Sequence, residues 1–504
     1  MGFALTVVYI VLTIISPEQF GPEWAHYHAL QFLAGIIAVV SLPNMLNQPY
    51  LKSSIQTFLL LGLFVAIALS QVANGWFGGA LISWQTFLPS AVIFFFVVAN
   101  VTTIRRLKIV TLATIASCMV VVVEALFGYY GGYRGDMFVL HDHLYSHDEI
   151  VGDIFRLRGV GFLNDPNDFA QILLIALPLL FIIWQRRRFV YNSLFVLVPA
   201  SILLWGIYLT HSRGALLGSA VLALMAARDN LGATVSAVLT SGLVFGMMAL
   251  DFTGGRGISA SEGADRLEAW ASGLELFKSA PIFGVGFSNF ADLNGITAHN
   301  SFVLCLAELG LVGSIIWVAL LVTTMMSLNS IVDLHEKWET TSVGHKITPS
   351  KAPEHGEEEI LSAAASANDD TFGLNGETHT TPLTVVEEPI SGAAKDSDGG
   401  AAITTAAHML MNVGNESDVS PPHVVPKQWV VVMRLALISF MTTGWFLSRT
   451  YSSTMYLVLG LAVASVALEG TFPEFRSSAR WIFLTLAIHA ALILFIYVVV
   501  RFRY

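Results

Sequence analysis

The sequence predicts an all-α polytopic membrane protein, and three observations point there. Of 504 residues, 55 % are hydrophobic and only 12 % are charged, with a mean hydropathy of +0.67. The apolar residues gather in about thirteen runs, most close to the ~20 residues that a bilayer span requires. The charged residues fall between the runs, in loops and in one long acidic stretch.

In chain order the runs are 2–16, 29–46, 54–71, 86–103 and 109–129, then 167–184, 192–210, 214–228 and 232–250. After them come 301–327, 429–447, 453–469 and 481–500. Segments 2–16 and 214–228 are short for a span and are expected to be tilted or partial. The first has no basic n-region and no small-residue cleavage site, so it does not read as a cleaved signal peptide. Cys118 and Cys305 both lie inside apolar runs, which argues against a structural disulfide.

The chain divides into a transmembrane body at 1–337, a linker at 338–428 and C-terminal helices at 429–504. The linker holds 14 Asp and Glu against 4 Lys and no Arg, which accounts for the whole net charge of −10. Its Ala, Ser, Thr, Gly and Glu content leaves too few large apolar residues for a core, so it reads as disordered. Its charge is compatible with a regulatory or partner-binding role.

Basic residues favour cytoplasmic loops. The clusters Arg105, Arg106, Lys108 and Arg186, Arg187, Arg188 are two spans apart and both belong inside. Lys52, Arg228, Arg476, Arg480 and the acidic linker then also fall inside. Segments 130–166, 211–214 and 251–300 face outward. An odd helix count leaves Arg501 and Arg503 outside, against the rule, so the terminal helices are the weakest part of this topology.

The outward loops carry Arg134, Arg156, Arg158, Arg213, Arg256, Arg266 and Lys278. These charges either pair with carboxylates such as Asp153, Asp265 and Glu268 or form a cationic bowl for phosphate groups, which Arg grips as a fork. Asp165 before Pro166 fits a helix N-cap with Pro at the first position. Asp168 in the first turn suits the helix dipole. Alternatively Asn164, Asn167 and Asp168 bind sugar hydroxyls, and Arg158, which capping does not need, contacts substrate. His211-Ser212-Arg213-Gly214 joins two apolar runs with almost no loop, which holds Arg213 at the membrane edge. Snorkelling to the headgroups is the plainer role for it, but a phosphate contact is favoured, because the tight turn leaves the side chain little freedom to escape.

Residues 263–279 read as an amphipathic helix with Leu267, Trp270, Leu274 and Phe277 on one stripe. The glycines of Pro281-Ile282-Phe283-Gly284-Val285-Gly286 turn the chain and are weak candidates for a phosphate cradle. The next helix opens at His299-Asn300-Ser301. A lone His is more often structural than catalytic, but His299 is also suited to act as a general base. Glu308, an ionisable group within an apolar helix, is a functional candidate or a packing device. His141-Asp142-His143 with His147, Asp148 and Glu149 has metal-ligand residue types but no recognised spacing, and reads as a mobile polar loop.

His299-Asn300, nine residues, Gly310, two residues and Gly313 together resemble the signature of the O-antigen ligase and polymerase superfamily. So do Arg213 in Ser-Arg-Gly, Arg266 followed by Trp270 and Pro281-to-Gly286, and Gly161-Phe162 leading into Asn164-Asp165-Pro166-Asn167. The resemblance covers 156–313. It implies a GT-C-like fold of twelve helices, with a large periplasmic loop before the tenth, in the bacterial inner membrane. It also implies an inverting, metal-independent glycosyltransferase without cofactors. Such enzymes move a glycan from a polyprenyl diphosphate to a lipid A–core sugar, to another glycan or to a protein, in lipopolysaccharide or exopolysaccharide biosynthesis.

By that resemblance Arg213 and Arg266 grip the diphosphate and His299 activates the acceptor hydroxyl. Arg158, Asn164, Asp168, Asn300 and Glu308 complete the expected substrate site. The acidic linker and a thirteenth helix depart from the family pattern. The expected partners are the lipid-linked glycan, its acceptor and the bilayer, with no nucleic acid. A lipid-glycan flippase would line a path through the bilayer with charge, whereas here the charges concentrate at one face. A polysaccharide-assembly scaffold would tolerate free change in the polar loop.

Overall fold

The computed structural model describes residues 1–20, 29–146, 149–249, 252, 260–347, 424–470 and 479–502. Arg256, His147, Asp148, Arg476 and nearly all of the acidic linker lie outside the described residues. Met1–His335 with His423–Tyr504 form one compact unit and Glu336–Pro422 another. Of the second, residues 336–347 are described and are helical.

The apolar runs are helices: α1 Gly2–Ile15, α2 Ala29–Asn47, α3 Ile55–Ala73, α4 Phe77–Asn100 and α5 Ile104–Gly131, then α6 Pro166–Leu179, α7 Val198–Leu209, α8 Arg213–Leu231 and α9 Ala233–Ala249. The amphipathic α10 is Ala260–Ser279. It is followed by α11 Ser301–Ile347, α12 Lys427–Gly444, α13 Ser453–Leu468 and α14 Arg480–Arg501. Among the described residues, nine helices are long and apolar enough to cross a membrane. The chain is therefore a multi-pass membrane protein. The run read as 86–103 begins earlier, at Phe77. Its first turns carry Gly78, Gly79, Ser83 and Gln85, which dilute the apolar signal without breaking the helix.

The centre of the bundle is α6. Nine apolar residues from Phe169 to Leu180 are nearly inaccessible, and α5, α7, α8 and α12 all pack on it. By contrast α2 and α14 are mostly uncovered, with exposed Phe32, Val39, Phe483 and Leu494. Such surfaces suit hydrocarbon, where an exposed apolar side chain carries no penalty.

Two features depart from the sequence reading. The 130–166 segment is not simply a polar loop. It contains an antiparallel hairpin, β1 Val139–Ser146 and β2 Glu149–Leu157, in which His143 faces Asp153 and Leu140 faces Arg156. Charged and apolar residues alternate here, so one face packs inward through Ile154 and Arg156 while His141, His143, Asp153 and Phe155 stay outside. The second departure is in α11, which is broken at Gly310, with φ 62 and ψ −159.

The break in α11 is filled by the Pro281–Gly286 segment. Val285 and Gly286 N–H donate to the Ala307 and Glu308 carbonyls, and Leu311 and Val312 N–H donate to those of Pro281 and Ile282. Backbone polar groups freed by a broken helix inside a bundle need such partners. A Cβ on Gly310 would sit 2.5 Å from the Ile282 carbonyl, and one on Gly284 would sit 2.2 Å from Glu308 backbone. The two glycines therefore permit each other's approach. Gly313 lies under the Leu309 side chain, which the break turns toward it.

Candidate active site

Four stretches of chain meet at one end of the bundle. The first is the start of α6. Asp165 caps it, accepting from the Asn167 and Asp168 N–H groups, with Pro166 at the first position. Asp168, almost wholly buried, is bound in a two-pronged ion pair by the guanidinium of Arg449. The second stretch is the α7–α8 turn, where Ser212 caps α8 by accepting from the Ala215 N–H and half-buried Arg213 opens the helix. His211 at φ 50 makes the tight reversal.

The third stretch runs from α10 to α11. Trp270 and Leu274 of α10 are buried while Glu268 is exposed, as the apolar stripe requires. Arg266 lies over the ring of Phe446, 5.9 Å from its centre. His299, at φ 49, turns the chain into α11. Asn300 caps that helix, its Oδ1 accepting from Phe302 N–H at 2.9 Å and Val303 N–H at 3.0 Å.

The fourth stretch, 445–452 between α12 and α13, is the one that sequence reasoning missed. It is stitched to the start of α11. The Ser301 hydroxyl donates to the Leu447 carbonyl at 2.6 Å and accepts from the Arg449 N–H at 2.9 Å. Thr450 Oγ1 donates to the Ser301 carbonyl at 2.6 Å, and Thr297 bonds Ser448 at 2.5 Å. A Cβ on Gly214, next to Arg213, would be 3.1 Å from Phe446. Phe446 thus lies beside both the Arg266 guanidinium and the start of α8. One loop brings Arg449 to the His299 turn and to Asp168. The signal for it was an Arg in the short loop between two apolar runs, which the charge reading passed over.

The electrostatics centre on His299. Burial lowers its pKa below the ordinary 6.5, and the positive charge of Arg266 lowers it further, against the pull of Asp165 and Asp265. The imidazole is therefore neutral at pH 7 and can accept a proton. Arg266, Asp165 and Asp265 are the charges that act on His299, while the Arg449 fork is held by Asp168.

The remaining sequence candidates lie as follows. Arg158 donates to the backbone carbonyls of Asp136 at 2.7 Å and Met137 at 3.1 Å, tying the foot of the hairpin. Asn164 is exposed at the end of a short turn. Glu308 is buried and accepts from the Phe290 N–H at 3.2 Å, a bond that fixes the 281–290 segment against α11. Gly284 and Gly286 do not form a phosphate cradle, because their N–H groups bond the carbonyls of Ala280 and Glu308.

Residues 198–318 match the family model described as O-antigen ligase. This segment is similar to the O-antigen ligase family. It contains Arg213, Arg266, His299, Asn300, Glu308, Gly310 and Gly313. The matched segment leaves Arg158, Asn164, Asp168 and Arg449 outside, so α6 and the 445–452 loop reach the candidate site from beyond it. No curated protein matches the chain.

Proposed function

We propose that this chain is a glycosyltransferase of the O-antigen ligase type. It moves a glycan from a polyprenyl-diphosphate donor to an acceptor hydroxyl, on a lipid A–core sugar or on another glycan, at the periplasmic face of the bacterial inner membrane. The observation that carries this reading is the neutral, half-buried His299 beside Arg266 in a segment similar to that family.

The chemistry follows from those groups. The acceptor hydroxyl gives its proton to the His299 imidazole as its oxygen bonds to the anomeric carbon. The bond from that carbon to the diphosphate breaks, and the electron pair leaves with the diphosphate. Attack opposite the leaving group inverts the anomeric centre. Arg213 and Arg266 stabilise the charge that builds on the leaving group, at about 3 kcal/mol for a well-placed donor. General-base help from His299 supplies roughly 10²–10⁴-fold. Two Arg side chains meet the charge demand that a divalent cation meets elsewhere, so the transfer is expected to run without metal. The lipid tail enters sideways from the bilayer.

The test uses purified protein, a polyprenyl-diphosphate glycan and an acceptor, with and without EDTA, and compares His299→Ala with the unmodified chain. Product is expected in both EDTA arms and only with His299 present. Full turnover by His299→Ala sinks the base assignment, and loss of product with EDTA sinks the metal-free mechanism.

A further inference from the structure

The outer face of the β1–β2 hairpin carries His141, His143 and Asp153, all three exposed. His141 and His143 are two residues apart on β1, so both side chains leave the same face of the ribbon. Asp153 sits directly opposite His143 in the register, where cross-strand side chains are closest. One ligand atom from each lies within 4.8 Å of the others. His143 Nδ1 is 2.7 Å and His141 Nε2 3.4 Å from Asp153 Oδ1.

We propose that His141, His143 and Asp153 bind one divalent transition-metal ion, Zn²⁺ or Cu²⁺, on the hairpin and apart from the transfer site. Bond lengths of about 2.0–2.2 Å at tetrahedral angles put neighbouring donor atoms about 3.3–3.6 Å apart. The His141–Asp153 separation already lies in that range. The His143–Asp153 pair, at 2.7 Å, reaches it by opening by about 0.6–0.9 Å when the hydrogen bond between them gives way to the ion. Two imidazoles and a carboxylate are a borderline donor set that suits Zn²⁺ and Cu²⁺ over Mg²⁺ or Ca²⁺. Three protein ligands leave the fourth position to water. Phe155 stacks on the His141 ring at 4.8 Å and 9°, which fixes the orientation of that ligand. Asp142, on the opposite face, is held by Arg156 at 3.5 Å and stays out of the set.

The ion would join β1 to β2 near the residues that tie the hairpin to the bundle. Arg156 follows Asp153 on β2, donates to the Thr210 carbonyl at 3.0 Å and reaches Asn167 at 3.2 Å. The link acts on hairpin stiffness, not on the reacting atoms.

The full-length protein in detergent is equilibrated with Zn²⁺ against a chromophoric chelator, and bound metal is measured for the unmodified chain, His141→Ala/His143→Ala and Asp153→Asn. The chain has 14 histidines, so the difference between proteins is the measure. The expected result is one fewer Zn²⁺ per chain in the double variant and at least a tenfold weaker site in Asp153→Asn. Zn²⁺ should also slow amide exchange of β1 and β2 in the unmodified chain alone. Equal metal content in all three proteins, or equal exchange with and without Zn²⁺, overturns the proposal. The readouts involve no glycan transfer, so their outcome is independent of the function proposed above.

Discussion

Replacing Gly310 by Ala tests the broken helix most directly. The residue sits at φ 62 and ψ −159, a region that is nearly Gly-only and costs about 1–3 kcal/mol for a residue with a side chain. The new Cβ would also meet the Ile282 carbonyl at 2.5 Å and the Gly284 nitrogen at 2.6 Å. Those are backbone atoms pinned by the cross-braces at 285, 286, 311 and 312, so they cannot swing aside as a side-chain tip would. Overpacking of that kind adds about 1–3 kcal/mol, for a total near 4 kcal/mol. If the brace opens instead, four hydrogen bonds at roughly 1 kcal/mol each give a similar loss. The assay is the unfolding midpoint in detergent. The control is Gly62→Ala in α3, where the nearest atom to the new Cβ is 3.6 Å away and a helical Ala gains about 0.5–1 kcal/mol. Gly310→Ala should unfold far earlier than either the unmodified chain or Gly62→Ala. A midpoint within about 1 kcal/mol of the unmodified chain would refute the account of the break.

His299→Ala should lower turnover by about 10²–10⁴-fold with an unchanged unfolding midpoint, measured as product per unit time on the lipid-linked donor. Arg266→Gln removes a charge that holds the His299 pKa down, so the acid limb of the rate profile should move to higher pH; a limb that stays put separates that limb from His299. The depressed His299 pKa also means that the unfolded chain binds the proton more readily. Stability from this group is complete above pH 6.5 and falls as pH drops below it, which a pH series of unfolding midpoints checks. Asp168→Asn or Arg449→Met alone should cost about 3 kcal/mol, because each strands a partner in a largely buried pair. The double variant should cost less than the sum, and an additive cycle denies the coupling.

Much of this architecture was legible in the residues, for physical reasons that also mark the limits. A membrane helix announces itself by composition alone, so the apolar runs translate directly into helices. The Asp165-Pro166 cap is local, set by two neighbours, and the structure has it. The amphipathic stripe of α10 is likewise local. What could not be read were contacts made through space. Arg449 lies 281 residues from Asp168, and no pattern in either neighbourhood points to the other. The break at Gly310 was hidden because the surrounding residues are uniformly apolar and continue as a helix. Only the 281–286 segment, arriving from another part of the chain, makes the positive φ worth adopting. The hairpin was lost for a different reason: its alternation pairs histidines with aspartates, and such a segment looks like a polar loop until a partner strand is known.

The proposed function links donor binding to base strength. With no donor bound, Arg449 is held by Asp168, and His299 feels both Arg266 and the carboxylates of Asp165 and Asp265. Burial and Arg266 prevail, and the imidazole is a weak base. A diphosphate gripped by Arg213 and Arg266 brings negative charge close to the ring. That charge cancels the influence of Arg266 and favours the imidazolium, so the His299 pKa rises in the complex. The base becomes stronger when the leaving group is in place, and it is restrained otherwise. The kinetic consequence is a difference between two profiles. The acid limb of kcat/KM reports the free enzyme and that of kcat the complex, so the kcat limb should lie at higher pH. Initial rates across pH 5 to 8, at limiting and saturating donor, measure both. Coincident limbs, or a kcat limb at lower pH, would mean that the diphosphate does not bind close enough to His299 for its charge to act there, and the grip assigned to Arg266 would have to be moved.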